Sequence, residues 1–194
     1  ALGMIQESLY RMGLEYFDLY LIHWPLPKRG LYVEAWKALI QAQKMGLIRS
    51  IGVSNFEPEH LDKIITETGV TPAVNQIEIH PYWVQERMVK ANAERGIITE
   101  AWSPLGRGND ALEEPIITGL AEKYGKTAGQ VILRWHVERG IVPIPKSRNL
   151  IHQRKNLAIF DFELTEDEVA QINTLEKPDG RIDGQDPNEY EEFD

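Results

Sequence analysis

The feature that most constrains the fold of this chain is the run Phe17–Pro25, FDLYLIHWP. Its aliphatic and aromatic residues follow one another through LYLI without polar alternation, which predicts a parallel strand buried on both faces. Pro25 has no N–H and cannot continue a central ladder, so we expect His23 and Trp24 at the carboxyl end of the strand. In parallel barrels and open α/β sheets, ligands bind at that end.

The rest of the chain alternates between strand and helix patterns. The predicted strands are Phe17–Ile22, Ile48–Val53, Ala73–Ile79, Ile97–Ala101 and Ile141–Pro145. The predicted helices are Leu2–Met12, Leu31–Met45, Pro58–Thr66, Val84–Arg95, Ile116–Tyr124 and Thr127–Arg139, with a short one from Asn149 and a last one from Thr165. Thr127 is a predicted N-cap, and Thr165 with Glu168 forms a predicted capping box. Strands separated by helices predict βαβ units and a parallel sheet.

Two architectures have such a sheet. An open doubly wound sheet of the Rossmann type lacks its main sign here, because no G-x-G-x-x-G turn follows any predicted strand. A (β/α)₈ barrel needs about 250 residues and three more strands. The chain opens on a helix without a start methionine. We therefore expect the first part of a barrel to be missing, which would leave two unpaired sheet edges. A mass of the purified protein near 22.2 kDa would contradict this expectation.

Composition excludes several classes of function. A formal net charge of −9 disfavours nucleic-acid binding, which needs clustered Lys and Arg. The chain has no cysteine, hence no disulfide and no thiolate nucleophile, which suits the reducing cytoplasm. No run approaches a membrane span of about 20 apolar residues, and no signal-peptide pattern is present. Small-molecule chemistry in the cytoplasm is favoured.

Five strand-end motifs, DLYLIHWP, IGVSNF, NQIEIHP, AWSPLG and IPKS, occur in this order. Their series resembles the aldo-keto reductases, and the short tail is most similar to the bacterial 2,5-diketo-gluconate reductase branch. The resemblance implies an α/β fold, the (β/α)₈ TIM barrel, of which this chain supplies about the last five strands. Residues 1–194 would be the C-terminal portion of one barrel domain, with a tail, 177–194, near the substrate pocket. The implied protein is a monomer that reduces an aldehyde or ketone, keto-sugar acids among the candidates, with NADPH or NADH.

The resemblance also implies roles for individual residues. His23 matches the catalytic histidine that hydrogen-bonds and orients the substrate carbonyl, and Trp24 matches a wall of the substrate pocket. The implied cofactor contacts are Ser54, Asn55, Gln76 and Trp102 for the nicotinamide, Ser103 and Leu105 for the pyrophosphate, Lys146 and Ser147 for the 2′-phosphate end, and Asn156 for the adenine. His152 stands where the family often has an Arg that clamps the 2′-phosphate, and this departure keeps NADH open as the alternative.

A second departure concerns catalysis. The catalytic tetrad implied by the resemblance is Asp, Tyr, Lys and His, and its first three members lie upstream of the matched motifs. We therefore expect the 194-residue chain alone to be inactive and a full-length protein to be active. The alternative is a nicotinamide-binding module without turnover. An aldolase or lyase of the barrel type would need a Schiff-base lysine or a metal cluster at the rim, where Lys146 is the only lysine.

Other conspicuous residues are interpreted as structural. We assign His60, His80, His136, Trp36, Trp83 and Trp135 to packing or hydrogen bonding. The acidic segment Glu189–Asp194 is interpreted as a solvated face. Asp18 lies at the start of its strand, which is the amino-terminal end of a barrel, whereas active sites lie at the carboxyl end.

Overall fold

A computed structural model describes residues 2–192, which form eight α-helices and five β-strands. The helices are α1 Leu2–Met12, α2 Tyr32–Lys44, α3 Pro58–Thr68, α4 Glu86–Glu94, α5 Pro115–Tyr124, α6 Ala128–Glu138, α7 Leu150–Leu157 and α8 Glu166–Asn173. The strands are β1 Phe17–Ile22, β2 Ile48–Ser54, β3 Val74–Glu78, β4 Ile98–Trp102 and β5 Val142–Pro143. Short 3₁₀ turns at Gly106–Gly108, Asp110–Glu113 and Ile182–Gly184 were not expected from the sequence.

The five strands form one sheet in the order β1-β2-β3-β4-β5, and the pairs with a described register are parallel. The predicted alternation is thus confirmed, and β1 and β5 end the order as the two expected edges. The predicted fifth strand, Ile141–Pro145, was too long. Pro143 and Pro145 have no N–H for a ladder, and Ile144 alone between them donates to the Ala101 carbonyl at 3.0 Å.

Strand β1 also corrects a prediction. It was expected to be buried on both faces, yet Asp18 is exposed and Leu19 is 36% exposed. The reason is its place at the end of the sheet order, where it pairs with β2. Asp18 forms an exposed ion pair with Arg49, with 2.8 Å between Oδ1 and Nη1.

The described residues divide into two compact units. The first comprises residues 2–76, 87–98 and 185–192, and its core packs α1, α2 and α3 against β1 and β2 around Trp36, which is fully buried. Gly52 in β2 has no room for a side chain, because a Cβ there would lie 2.7 Å from both the Leu21 Cδ2 and the Val74 carbonyl oxygen. Glycine is therefore required at this strand position by close approach.

The second unit comprises residues 77–86 and 99–184. The predicted N-cap Thr127 and the capping box of Thr165 with Glu168 are both present at the starts of α6 and α8. Burial would raise the pKa of Glu168, but donation from the Lys123 ammonium, the Thr165 N–H and the Tyr124 hydroxyl lowers this pKa to about 2. Glu168 therefore joins α5 to α8 as a buried carboxylate.

The predicted structural histidines are buried in hydrogen-bonded positions. His60 Nδ1 accepts from the Glu57 N–H at the start of α3, and His80 Nε2 lies 2.9 Å from Glu78 Oε1. His136 is fully buried in α6, which lowers its pKa to about 4. Within residues 2–192, no helix has the length and apolar character needed to cross a membrane.

Candidate active site

Four of the predicted site residues meet within the first unit, where the carboxyl ends of β1 and β2 lie beside Gln76 in the middle of β3. The Asn55 Nδ2 donates to the His23 carbonyl oxygen at 3.0 Å and to the Ser54 Oγ at 3.1 Å. The Ser54 hydroxyl donates to the Gln76 carbonyl oxygen at 2.7 Å, and the Asn55 N–H donates to the same oxygen at 2.9 Å. These bonds join the carboxyl ends of β1 and β2 to each other and to the middle of β3.

The hydrogen-bonding capacity of this cluster suits a carboxamide. A hydroxyl oxygen has two lone pairs, and one of those on Ser54 accepts from Asn55, which leaves the second able to accept an amide N–H. Ser54 and Asn55 are both buried, whereas Gln76 is partly exposed. The residues present therefore fit the nicotinamide end of the implied cofactor.

Backbone conformation distinguishes two of the predicted residues. Asn55 has φ +61° and Ser103 has φ +47°, both in the left-handed region that non-glycine residues rarely adopt. Each directly follows the last residue of a strand, β2 for Asn55 and β4 for Ser103. Such conformations cost free energy and persist where the surrounding structure imposes them, most often at functional sites.

The segment 190–192 adds three residues to this site that were not predicted from the sequence. The Tyr190 ring lies 4.5 Å from the buried Trp24 ring, between centroids. Glu191 Oε1 accepts from the Lys28 N–H at 2.8 Å, and Glu192 Oε1 lies 2.9 Å from His23 Nδ1. The interpretation of Glu189–Asp194 as a solvated face is wrong for Glu191, which is buried, whereas Tyr190 and Glu192 are partly exposed; Phe193 and Asp194 lie outside the described residues.

The second unit carries the other predicted contacts. A cleft of about 220 Å³ is lined by the predicted residues Leu105, Lys146, Ser147, His152 and Asn156, together with Leu112, Thr127, Gly129 and Lys155. The loop between β5 and α7 is shaped by its own hydrogen bonds: Asn149 caps α7 by accepting from the Ile151 N–H at 2.8 Å, and Ser147 Oγ accepts from the Asn149 N–H at 3.1 Å.

The donors of this cleft suit a phosphate ester. Two ammonium groups, Lys146 and Lys155, share it with two hydroxyls and an imidazole. Three side chains of α7 line the cleft, those of His152, Lys155 and Asn156. Trp102 and Ser103 do not line it and lie at the end of β4.

An apolar groove of about 580 Å³ lies beside β5 in the same unit. Its walls come mainly from α6, β5 and the segment 157–160, with Leu133, Val142 and Phe160 among them. Asn156 lines both the groove and the cleft. No group of three or more His, Cys, Asp or Glu side chains among the described residues could hold a metal ion.

Comparison with known proteins decides the family. The sequence profile of the Aldo/keto reductase family matches residues 2–177. The chain belongs to the aldo/keto reductase family. This confirms the resemblance carried by the five strand-end motifs.

Curated relatives of this aldo/keto reductase agree with the expected branch. An aldo-keto reductase of Mycobacterium sp. (strain KMS) is 50% identical over 190 residues, which is 98% of this chain and 68% of the relative. The 2,5-diketo-D-gluconic acid reductase B of Corynebacterium sp. (strain SHS752001) is 49% identical over 193 residues, covering 100% and 69%. A methylglyoxal reductase of Salmonella typhimurium is 46% identical over 187 residues, covering 96% and 67%.

Solved structures confirm the fold class. Gox0644 in its apo form superposes with a TM-score of 0.94 at 45% identity, covering 98% of this chain and 69% of Gox0644. A Gox0644 mutant in complex with NADPH gives 0.93, and a Bombyx mori aldo-keto reductase in complex with NADP gives 0.88 at 38% identity, covering 97% and 67%. These neighbours are (β/α)₈ barrels, and this aldo/keto reductase spans about two thirds of their length.

Proposed function

We propose that this protein reduces an aldehyde or ketone to the alcohol with NADPH as hydride donor. The observation that carries the proposal is the hydrogen-bonded cluster of His23, Ser54, Asn55 and Gln76 on three neighbouring strands. Family membership supports carbonyl reduction, and the solved relatives in complex with NADPH or NADP support the cofactor. Keto-sugar acids and methylglyoxal-like dicarbonyls are the substrate candidates, since relatives carry these names.

The proposed roles of the residues follow from their chemistry. Ser54, Asn55 and Gln76 hold the carboxamide through matched donors and acceptors. Trp102 offers the indole face against which a nicotinamide ring stacks, so that the opposite face stays open to the substrate. When bound, NADPH supplies the hydride.

The remaining roles concern the substrate and the phosphates. His23 orients the carbonyl, and Trp24 forms a wall of the pocket. Ser103 and Leu105 line the path of the pyrophosphate. Lys146 and Ser147 hold the 2′-phosphate end, with His152 in place of an Arg, and Asn156 contacts the adenine. The cleft that these phosphate and adenine contacts share supports their assignment, and its lining includes Leu105, Lys146, Ser147, His152 and Asn156.

The proposed domain organisation places residues 1–194 in one barrel domain, with the tail from residue 177 near the substrate pocket. The contacts of Tyr190 and Glu192 with Trp24 and His23 support this placement of the tail. A monomer is the proposed oligomeric state, to be checked by light scattering.

The test of the proposed function is loss of absorbance at the nicotinamide band when the protein is mixed with NADPH and methylglyoxal or a keto-gluconate. The family's Asp, Tyr and Lys are not in the matched part of the sequence, so the assay is run on this chain and on a version extended upstream with all four tetrad residues. Turnover by the extended version supports the proposal. No turnover by it, with the tetrad confirmed, would refute it.

A second candidate is nicotinamide binding without turnover, which the absence of the three tetrad members from this chain favours. Titration with NADPH is expected to quench the fluorescence of the five tryptophans. An unquenched signal from protein shown to be folded by circular dichroism would refute this candidate.

A further inference from the structure

The segment 186–192 is folded against the loop that follows β1. A turn at Asp186 starts it: the carbonyl of Asp186 accepts from the Tyr190 N–H at 2.7 Å, and its Oδ1 accepts from the Asn188 N–H at 2.9 Å. The last three residues of the segment each contact the loop. The Tyr190 ring meets the Trp24 ring, Glu191 accepts from the Lys28 N–H, and Glu192 meets the His23 imidazole. Glu192 is therefore held in place by its neighbours.

Glu191 is the anchor of this segment. Its side chain is 2% exposed, its Oε1 accepts from the Lys28 N–H at 2.8 Å, and its Oε2 lies 3.4 Å from the Arg29 Nε. A buried carboxylate is costly without such partners, and the Arg29 guanidinium offsets its charge. The charge that faces His23 is accordingly that of Glu192.

The contact between Glu192 and His23 determines where the imidazole carries a hydrogen. Glu192 Oε1 lies 2.9 Å from His23 Nδ1. An ionised carboxylate can only accept, so Nδ1 must carry the hydrogen of this bond. In the neutral ring the other nitrogen, Nε2, then has a lone pair and no hydrogen.

This arrangement affects how His23 can act on a carbonyl. A carbonyl oxygen accepts hydrogen bonds, and a lone pair on Nε2 would repel it. We propose that Glu192 is a positioning residue that fixes a hydrogen of His23 on Nδ1, so that only the imidazolium, with hydrogen on both nitrogens, can donate from Nε2 to the substrate carbonyl. The carboxylate is the counter-charge of that cation. This inference rests on the proposed carbonyl reduction for its functional meaning, whereas the hydrogen position is a property of the chain itself.

The test is long-range ¹H–¹⁵N NMR of the imidazole rings in the ¹⁵N-labelled 194-residue chain, at an alkaline pH where the rings are neutral. A His23→Phe variant identifies the His23 signals among the five histidines. Wild type is expected to show hydrogen on Nδ1. Glu192→Ala is expected to lower the ratio of the Nδ1–H to the Nε2–H form by about tenfold, because the charge-assisted bond is lost.

Two further variants keep the test decisive. Glu189→Ala removes an exposed carboxylate from the same segment and should leave the ratio at its wild-type value. Glu192→Gln keeps an accepting oxygen and should give an intermediate ratio. Hydrogen on Nε2 in wild type, or an unchanged ratio in Glu192→Ala, would overturn the inference. The readout needs neither NADPH nor turnover, so its failure is distinct from failure of the proposed function.

Discussion

Replacing Asn55 tests how the end of β2 is built. Asn55 is buried with φ +61°, and its Nδ2 donates to the His23 carbonyl oxygen at 3.0 Å and to the Ser54 Oγ at 3.1 Å. Asparagine visits the left-handed region more readily than other residues with a Cβ, whereas alanine does not. The residue thus makes two separable contributions, from its hydrogen bonds and from its backbone conformation.

The contribution of the hydrogen bonds is the larger of the two. Each net hydrogen bond is worth about 1 kcal/mol, so their loss in either variant costs about 2 kcal/mol. Alanine also adds about 1 kcal/mol for the left-handed conformation, which glycine adopts freely. Asn55→Ala should therefore lower the free energy of unfolding by about 3 kcal/mol and Asn55→Gly by about 2 kcal/mol.

Urea unfolding followed by far-UV circular dichroism measures both values, provided that the m-value stays constant. Equal losses in the two variants would refute the conformational part of the reasoning. A loss below about 0.5 kcal/mol in both would refute the hydrogen-bond part. Both variants should also bind NADPH more weakly than wild type, as judged by tryptophan quenching, because the cluster around His23 is loosened.

Three other features predict changes in stability or cofactor preference. Gly52→Ala overpacks the space between neighbouring strands and should destabilise the chain by about 1–3 kcal/mol. Gly119→Ala, inside α5 with open space around it, should instead stabilise the chain by about 0.5–1 kcal/mol. Similar urea midpoints for the two variants would contradict the packing argument. The lowered pKa of Glu168 contributes about 3 kcal/mol to the free energy of unfolding, which is present above pH 4.5 and lost as the pH falls towards 2. Glu168→Gln should therefore be less stable than wild type at pH 7, and the two should be nearly equal in stability near pH 2. His152→Arg should raise the preference for NADPH over NADH by about tenfold, and equal quenching titrations for wild type and variant would count against the proposed 2′-phosphate site.

The sequence predicted the elements well because their determinants are local. Hydrophobic periodicity, glycine stops and capping signals located the eight helices and five strands of residues 2–192, and the capping residues Thr127 and Thr165 were identified from local sequence alone. The strand-end motifs predicted that His23, Ser54 and Gln76 lie close together towards the carboxyl side of a parallel sheet, and the structure brings them together. Their roles in binding and catalysis remain predictions.

Some features depended on residues far apart in the chain. The exposure of β1 follows from its end position in the sheet, which no local pattern reveals. The left-handed backbone of Asn55 and Ser103 was likewise invisible in the sequence, because both residue types are common in ordinary loops.

The run FDLYLIHWP by itself determined a strand that ends in an imidazole at the ligand-binding edge of a parallel sheet. Only the tertiary structure decided what that imidazole faces. Lys28 and Glu191 are 163 positions apart, yet their hydrogen bond holds the segment 186–192 against the loop after β1. A carboxylate in an acidic tail is indistinguishable from a solvated charge until folding places it 2.9 Å from His23.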